Sequence, residues 1–134
     1  IETTATWQIS DVVDATGLGA GWVLSLDLSQ LKEYDTTLED YVESGKTIPV
    51  GSIAVTTAPT VDFADNTSSA LETITTVETN QKLDGSIVNL LTAVKGGGMG
   101  SYSVSDMTVT LTARADTYEC TYKTDAIVSI STGP

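Results

Sequence analysis

The sequence predicts an all-β chain folded as an antiparallel immunoglobulin-like β-sandwich, and three observations predict it. Apolar and polar residues alternate with period two in segment after segment. Threonine fills about one position in six, well above its usual share. It is β-branched and stiff at χ1, and it suits a pleated, half-buried surface with its hydroxyl toward water. No helical pattern is long enough for a βαβ crossover, which leaves antiparallel pairing of about seven short strands. With 134 residues, the chain is expected to form one domain, 1–134, able to bury a core without disulfides or a structural metal.

Taken in order, Thr3 to Ser10 places Ala5, Trp7 and Ile9 on one face. Trp22 to Leu28 places Trp22, Leu24, Leu26 and Leu28 on one face, with Val23, Ser25 and Asp27 opposite. Both are expected strands with one face buried. Asp11 to Gly21, with Gly17, Gly19 and Gly21, is expected to be a turn-rich connection. A phosphate-binding loop there would need a strand-loop-helix unit, and Asp11 and Asp14 carry the wrong charge for it. Leu31, Tyr34, Leu38, Tyr41 and Val42 fall at three- and four-residue spacings, so a short helix or an ordered excursion is expected over Leu31 to Gly45.

Ser52 to Thr57 and Thr73 to Glu78 read as strands, and Val61 to Ser69 as an exposed loop. Ile87 to Val94 is a short apolar run that suits either a buried strand or a helical turn, stopped by Gly96-Gly97-Gly98. Asp106 to Thr112 alternates Met107, Val109 and Leu111 with threonines. Tyr118 to Ser131 puts Tyr118, Cys120, Tyr122, Thr124, Ala126, Val128 and Ile130 on one face, and Ala113 to Thr117 is the turn before it.

Composition narrows the function. The formal net charge is -12 with only six basic residues, Lys32, Lys46, Lys82, Lys95, Arg114 and Lys123, scattered along the sequence. Such a surface repels phosphate backbones, which excludes a nucleic-acid partner. The chain has no histidine and one cysteine, removing Ser-His-Asp and Cys-His catalysis and histidine-based metal sites. Lone Cys120 has no partner for an internal disulfide and is expected to be buried as a small hydrophobe. No run of 18 apolar residues provides a membrane span. Ile1 stands where a leader would begin, without a charged n-region or an apolar h-region, as in a processed or trimmed secreted product.

Trp22 and Trp7 offer indole faces on which a sugar ring stacks, although a large aromatic in an alternating strand is more simply core. Asp62 and Asp65, with Asp11, Asp14 and Asn66, offer hard oxygen ligands for calcium. Their spacing fits no EF-hand, and no metal or other cofactor is expected. Glu33, Glu39, Asp40 and Glu43 contain carboxylates of the type glycoside hydrolysis uses, but nothing sets the separation of any two, so no enzyme is expected. Asn66-Thr67-Ser68 is a glycosylation sequon, with Asn66 the acceptor in a host that uses it.

Gly19-Ala20-Gly21-Trp22-Val23-Leu24-Ser25-Leu26 resembles the first signature of WxL-domain surface proteins, a Trp and a Leu one residue apart after glycines, here Gly21, Trp22 and Leu24. Trp7-Gln8-Ile9-Ser10-Asp11 and Asp14-Ala15-Thr16-Gly17 resemble the strand and turn leading into it. Toward the other end, Gly98-Met99-Gly100-Ser101-Tyr102, Val109-Thr110-Leu111-Thr112, Tyr118, Thr121-Tyr122 and Ser131-Thr132-Gly133-Pro134 resemble the family's glycine-rich segment and final hairpin. Residues 30 to 90 add little to the resemblance. The family's second Trp-x-Leu is here Ile127-Val128-Ser129, without its Trp.

The resemblance implies a secreted, cell-surface location and non-covalent attachment to a Gram-positive wall by peptidoglycan binding. The chain opens almost at the first motif, whereas the family's domains carry one or two strands before it. Either the sequence is a fragment, or another chain supplies the strand by β-augmentation. In the second case residues 1–10 are the exchanged strand, with Ile1, Ala5, Trp7 and Ile9 as its subunit contact, and head-to-tail repetition builds a homopolymer. The leading expectation is therefore a non-catalytic structural surface protein, a filament subunit. The alternative is a module that binds peptidoglycan or another wall glycan through the Trp22 region.

Overall fold

Alternating segments become strands that pair across long sequence distances. The structure is a computed structural model and describes residues 1–9, 12–14, 19–63 and 71–132. Among these, thirteen strands follow in chain order: β1 Glu2–Trp7, β2 Val12–Asp14, β3 Trp22–Leu28, β4 Lys32–Asp35, β5 Asp40–Tyr41, β6 Ile53–Thr57, β7 Val61–Phe63, β8 Ile74–Thr76, β9 Ile87–Ala93, β10 Gly100–Val104, β11 Met107–Thr112, β12 Tyr122–Lys123 and β13 Ala126–Thr132. One 3-10 turn, Leu71–Thr73, precedes β8.

The strands form four sheets with the orders β13-β3-β9-β8, β1-β11-β6, β2-β10-β7 and β12-β4-β5. Every strand pairing is antiparallel. Trp22, Leu26 and Leu28 of β3 and Val88, Leu90 and Leu91 of β9 join Ile53 and Val55 of β6, Met107 of β11 and Val104 of β10 in one buried cluster. A single core shared by separate sheets is the packing of a β-sandwich, as the alternation predicts. A bulge between Leu24 and Ser25 lets both Leu90 and Leu91 reach that core.

The expected strands at Trp22 to Leu28, Ser52 to Thr57, Thr73 to Glu78 and Asp106 to Thr112 correspond to β3, β6, β8 and β11, and the ambiguous run Ile87 to Val94 is strand β9. Several expectations need correction. Leu31 to Gly45 is not helical. Tyr34 lies directly opposite Tyr41 in a β4-β5 hairpin, with the Asp35 carboxylate accepting the Thr37 and Leu38 amides in the turn. The three- and four-residue spacings there bring tyrosines together across strands, while Leu38 stays exposed.

Tyr118 to Ser131 is not one strand with a buried face. It breaks at Thr124-Asp125, where the Asp125 amide donates to the Ser29 hydroxyl, so β12 joins β4 while β13 joins β3. In β1, burial begins only at Trp7. Ala5 is exposed because β1 is the uncovered edge of its sheet, and Ile9, beyond the strand, is buried. Cys120 is half-buried, not core. Val61–Phe63, within the expected loop, pairs with β10 as β7, and Val12–Asp14, within the expected turn, pairs with it as β2.

Candidate functional site

The signature residues lie at the centre of the core. The Trp22 ring is buried, and its indole N–H donates to the Gly98 carbonyl at 2.9 Å. Gly21 has φ +79°, and a Cβ there would stand 2.5 Å from the Ala93 carbonyl oxygen. Gly98 has φ +68°, and a Cβ there would stand 2.3 Å from the Ala93 methyl and 2.7 Å from the Trp22 nitrogen. The two glycines let β3, the end of β9 and the segment before β10 close around one indole. Trp22 is core, the simpler of its two expected readings, and its ring offers no open face to a sugar.

The exposed chemistry gathers elsewhere, around β4, β5 and β12. Four of the five tyrosines, Tyr34, Tyr41, Tyr118 and Tyr122, and four of the six basic residues, Lys32, Lys46, Arg114 and Lys123, lie on these strands or beside them. The basic residues are scattered in sequence but meet in space. The Lys123 ammonium sits 4.4 Å from the Tyr34 ring centroid, and that of Lys46 5.4 Å from the Tyr118 centroid. Tyr34 and Tyr41 pack edge to face at 5.5 Å and 82°. Two cavities open here and share Thr47. One, of about 510 Å³, is lined by residues including Ser29, Lys32, Tyr41, Glu43 and Asp125. The other, of about 450 Å³, is lined by residues including Lys46, Arg114, Tyr118 and Tyr122.

Two phenols on this surface are perturbed. The Tyr41 hydroxyl oxygen is buried beside Asp125. Its pKa is raised by burial and then by hydrogen bonding to the Asp125 carboxylate. Tyr122 donates to the Tyr118 carbonyl at 2.7 Å. Its pKa is pushed up to about 12, first by hydrogen bonding with the Cys120 side chain and then by desolvation. Because the folded value lies above the ordinary 10.0, the neutral phenol's contribution to stability is whole below pH 10.0 and is lost as pH climbs toward about 12. An ultraviolet absorbance titration is expected to show the last tyrosine ionisation near pH 12, and Tyr122→Phe is expected to remove that step. A Tyr122→Phe protein that keeps it would place the late ionisation on another tyrosine.

A family model described as "WxL domain surface cell wall-binding" matches residues 2–131. The chain belongs to the WxL-domain family. Comparisons with curated proteins and with solved structures return no match. A WxL domain is a cell-surface domain, which places this one at the surface or outside the cell, and the family is one of binding domains. Among the described residues no helix is long and apolar enough to cross a membrane.

In this WxL domain the other candidate residues do not converge. Ile1 and Ala5 are exposed, whereas Trp7 and Leu24 are half-buried and share with Ile9 an apolar groove that has no lining residue in common with the two tyrosine-bearing cavities. Asp62 accepts the Phe63 amide at 2.8 Å. Asp65, Asn66 and Asp11 lie outside the described residues, as does the Asp14 side chain. Among the described residues no three metal-ligating side chains cluster. Glu33 accepts the Lys46 amide at 2.8 Å and Asp40 the Tyr41 amide at 2.8 Å, so both serve the hairpin's own backbone. The tyrosine and lysine surface escaped the sequence reading, although a signal was present: Leu31 to Lys46 and Arg114 to Lys123 together hold four tyrosines and four cations.

Proposed function

We propose that this WxL domain binds cell-wall polysaccharide at the surface formed by Tyr34, Tyr41, Tyr118, Tyr122, Lys46 and Lys123. The observation that carries the reading is the meeting of β4, β5 and β12, where the Lys123 ammonium lies over the Tyr34 ring and that of Lys46 over the Tyr118 ring beside two open cavities. Tyrosine rings give flat apolar area to the C–H faces of sugars. The lysines supply positive charge to carboxylates or phosphates on the polymer, on a chain that is otherwise strongly acidic.

The test is co-sedimentation with purified Gram-positive walls. Wild-type protein is expected to pellet with the walls, more weakly as salt rises because the exposed cations are screened. Combining Tyr34→Ala with Lys123→Gln is expected to weaken binding roughly tenfold or more, given the usual strength of stacking and cation contacts. Wild-type affinity in that double variant, with its circular dichroism unchanged, would sink the assignment.

A strand-donated filament has less support. Residues 2–7 are already paired with β11 of their own chain.

A further inference from the structure

The last strand, β13, has an unusual position. It is the edge of its sheet, and all seven of its residues are exposed, including Ile127 at 60%, Val128 at 53% and Ile130 at 61%. Val128 and Ile130 stand in register with Leu26 and Leu24 on the core-facing side of the sheet. They are the uncovered margin of the sandwich core. With Trp7, Ile9, Val12 and Leu90 they line an apolar groove of about 350 Å³. A long, uncharged, apolar edge is what soluble proteins avoid unless something pairs with it.

The sequence of the strand suits a second copy of the chain. Ala126-Ile127-Val128-Ser129-Ile130-Ser131-Thr132 carries no charge, on a chain whose net charge is -12. Among the described sheet edges β1 contains Glu2, β2 Asp14, β5 Asp40, β7 Asp62 and β12 Lys123, β8 is only three residues long, and the outer side of uncharged β6 is already bonded to residues 80–83. Two like-charged copies repel over most of their surfaces, and β13 is where they can meet without opposing charges.

The ladder also sets a register. The Ser29 amide donates to the Asp125 carbonyl at 3.1 Å, and the pairing of β13 with β3 continues without a shift. The alternation of an antiparallel ladder then turns Ile127, Ser129 and Ser131 toward β3. It leaves the amides and carbonyls of Ala126, Val128, Ile130 and Thr132 directed outward. Outward residues share one parity, so an antiparallel copy centred on Ser129 sets Val128 opposite Ile130 of the second copy, and Ile130 opposite its Val128. Four aliphatic side chains then close one patch over the groove margin.

We propose that this domain forms a twofold dimer by antiparallel pairing of β13 with β13 of a second copy. The pairing makes one continuous eight-stranded sheet from the two copies of β8-β9-β3-β13 and covers the open margin of both cores. Because the contact is isologous, assembly stops at two. The inference does not depend on wall binding, since β13 and the tyrosine surface are tested by different variants.

The experiment is sedimentation equilibrium of the whole chain over about a hundredfold range of concentration, since a dimer responds to mass action. A reversible monomer-dimer equilibrium is expected. Ile130→Glu sets two carboxylates beside the twofold axis and is expected to weaken the dimer roughly tenfold or more. Residue 130 is exposed in the monomer, so folding is expected to survive and is checked by circular dichroism. Ser129 faces its own copy across a non-hydrogen-bonded pair, where Cα atoms lie about 4.5 Å apart, within disulfide range. In a Cys120→Ser background, Ser129→Cys is expected to yield a disulfide-linked dimer, and Thr37→Cys, on an exposed turn, is not. A monomer at every concentration overturns the proposal, as does an open-ended polymer. So does a dimer indifferent to Ile130→Glu or one that fails to cross-link through Ser129→Cys.

Discussion

Replacing Asp84 with alanine is expected to destabilise the domain by about 3–5 kcal/mol, the largest effect of any single polar substitution. Asp84 is the buried charged residue among the core-lining positions, and its carboxylate accepts three backbone amides: Gly51 at 3.0 Å, Ser52 at 3.2 Å and Ile53 at 3.1 Å. Next to it the Gly85 amide donates to the Leu28 carbonyl at 3.1 Å. One side chain thus ties the entry of β6 to the segment that runs along the end of β3. Alanine leaves the buried Ile53 amide and the partly buried Gly51 and Ser52 amides without their acceptor, and hydrogen bonds to a charged acceptor are the stronger kind. Thermal unfolding is expected to fall by about 10–15 °C. Asp84→Asn retains one carbonyl oxygen and turns an amide toward a donor, so about half of that loss is expected. A midpoint within about 2 °C of wild type for Asp84→Ala would mean that water or backbone movement replaces the carboxylate.

Trp22→Ala is expected to cost about 3–5 kcal/mol by the same measurement, from lost burial and the cavity left behind. The cavity cannot readily collapse, because the surrounding walls are backbone: Gly98 and the end of β9 approach the indole closely. Trp22→Phe keeps most of the apolar volume and leaves the Gly98 carbonyl without its donor, so about 1–2 kcal/mol is expected. Wall binding per folded molecule is expected to survive in Trp22→Phe, since the tyrosine surface is built from other strands. If Trp22→Phe folds normally and loses wall binding, the indole has a role beyond the core.

Where the sequence was legible, one short stretch held the whole signal. Trp22 to Leu28 alternates over seven residues, and β3 runs over those residues with Trp22, Leu26 and Leu28 inward. The spacing at Tyr34 and Tyr41 left a short helix and an ordered excursion both open, because residues spaced for a helix face also sit opposite one another across a turn. Asp84 gave no signal, because Asp-Gly reads locally as a turn and its three partners lie about thirty residues earlier. The tyrosine and lysine surface is assembled from β4-β5 and from the segment around β12, which are distant in sequence and are brought together by the pairing of β12 with β4.

By itself the sequence determined the all-β class, the family signature at Gly21, Trp22 and Leu24, the strong acidity, and the lack of histidine, because each is a property of composition or of one short run. Tertiary structure alone decided that the cations converge on tyrosines and that β13 is left at an open edge. These depend on which strands become neighbours, and strand pairing is set by the summed burial of the packed sheets, a quantity that no local pattern contains.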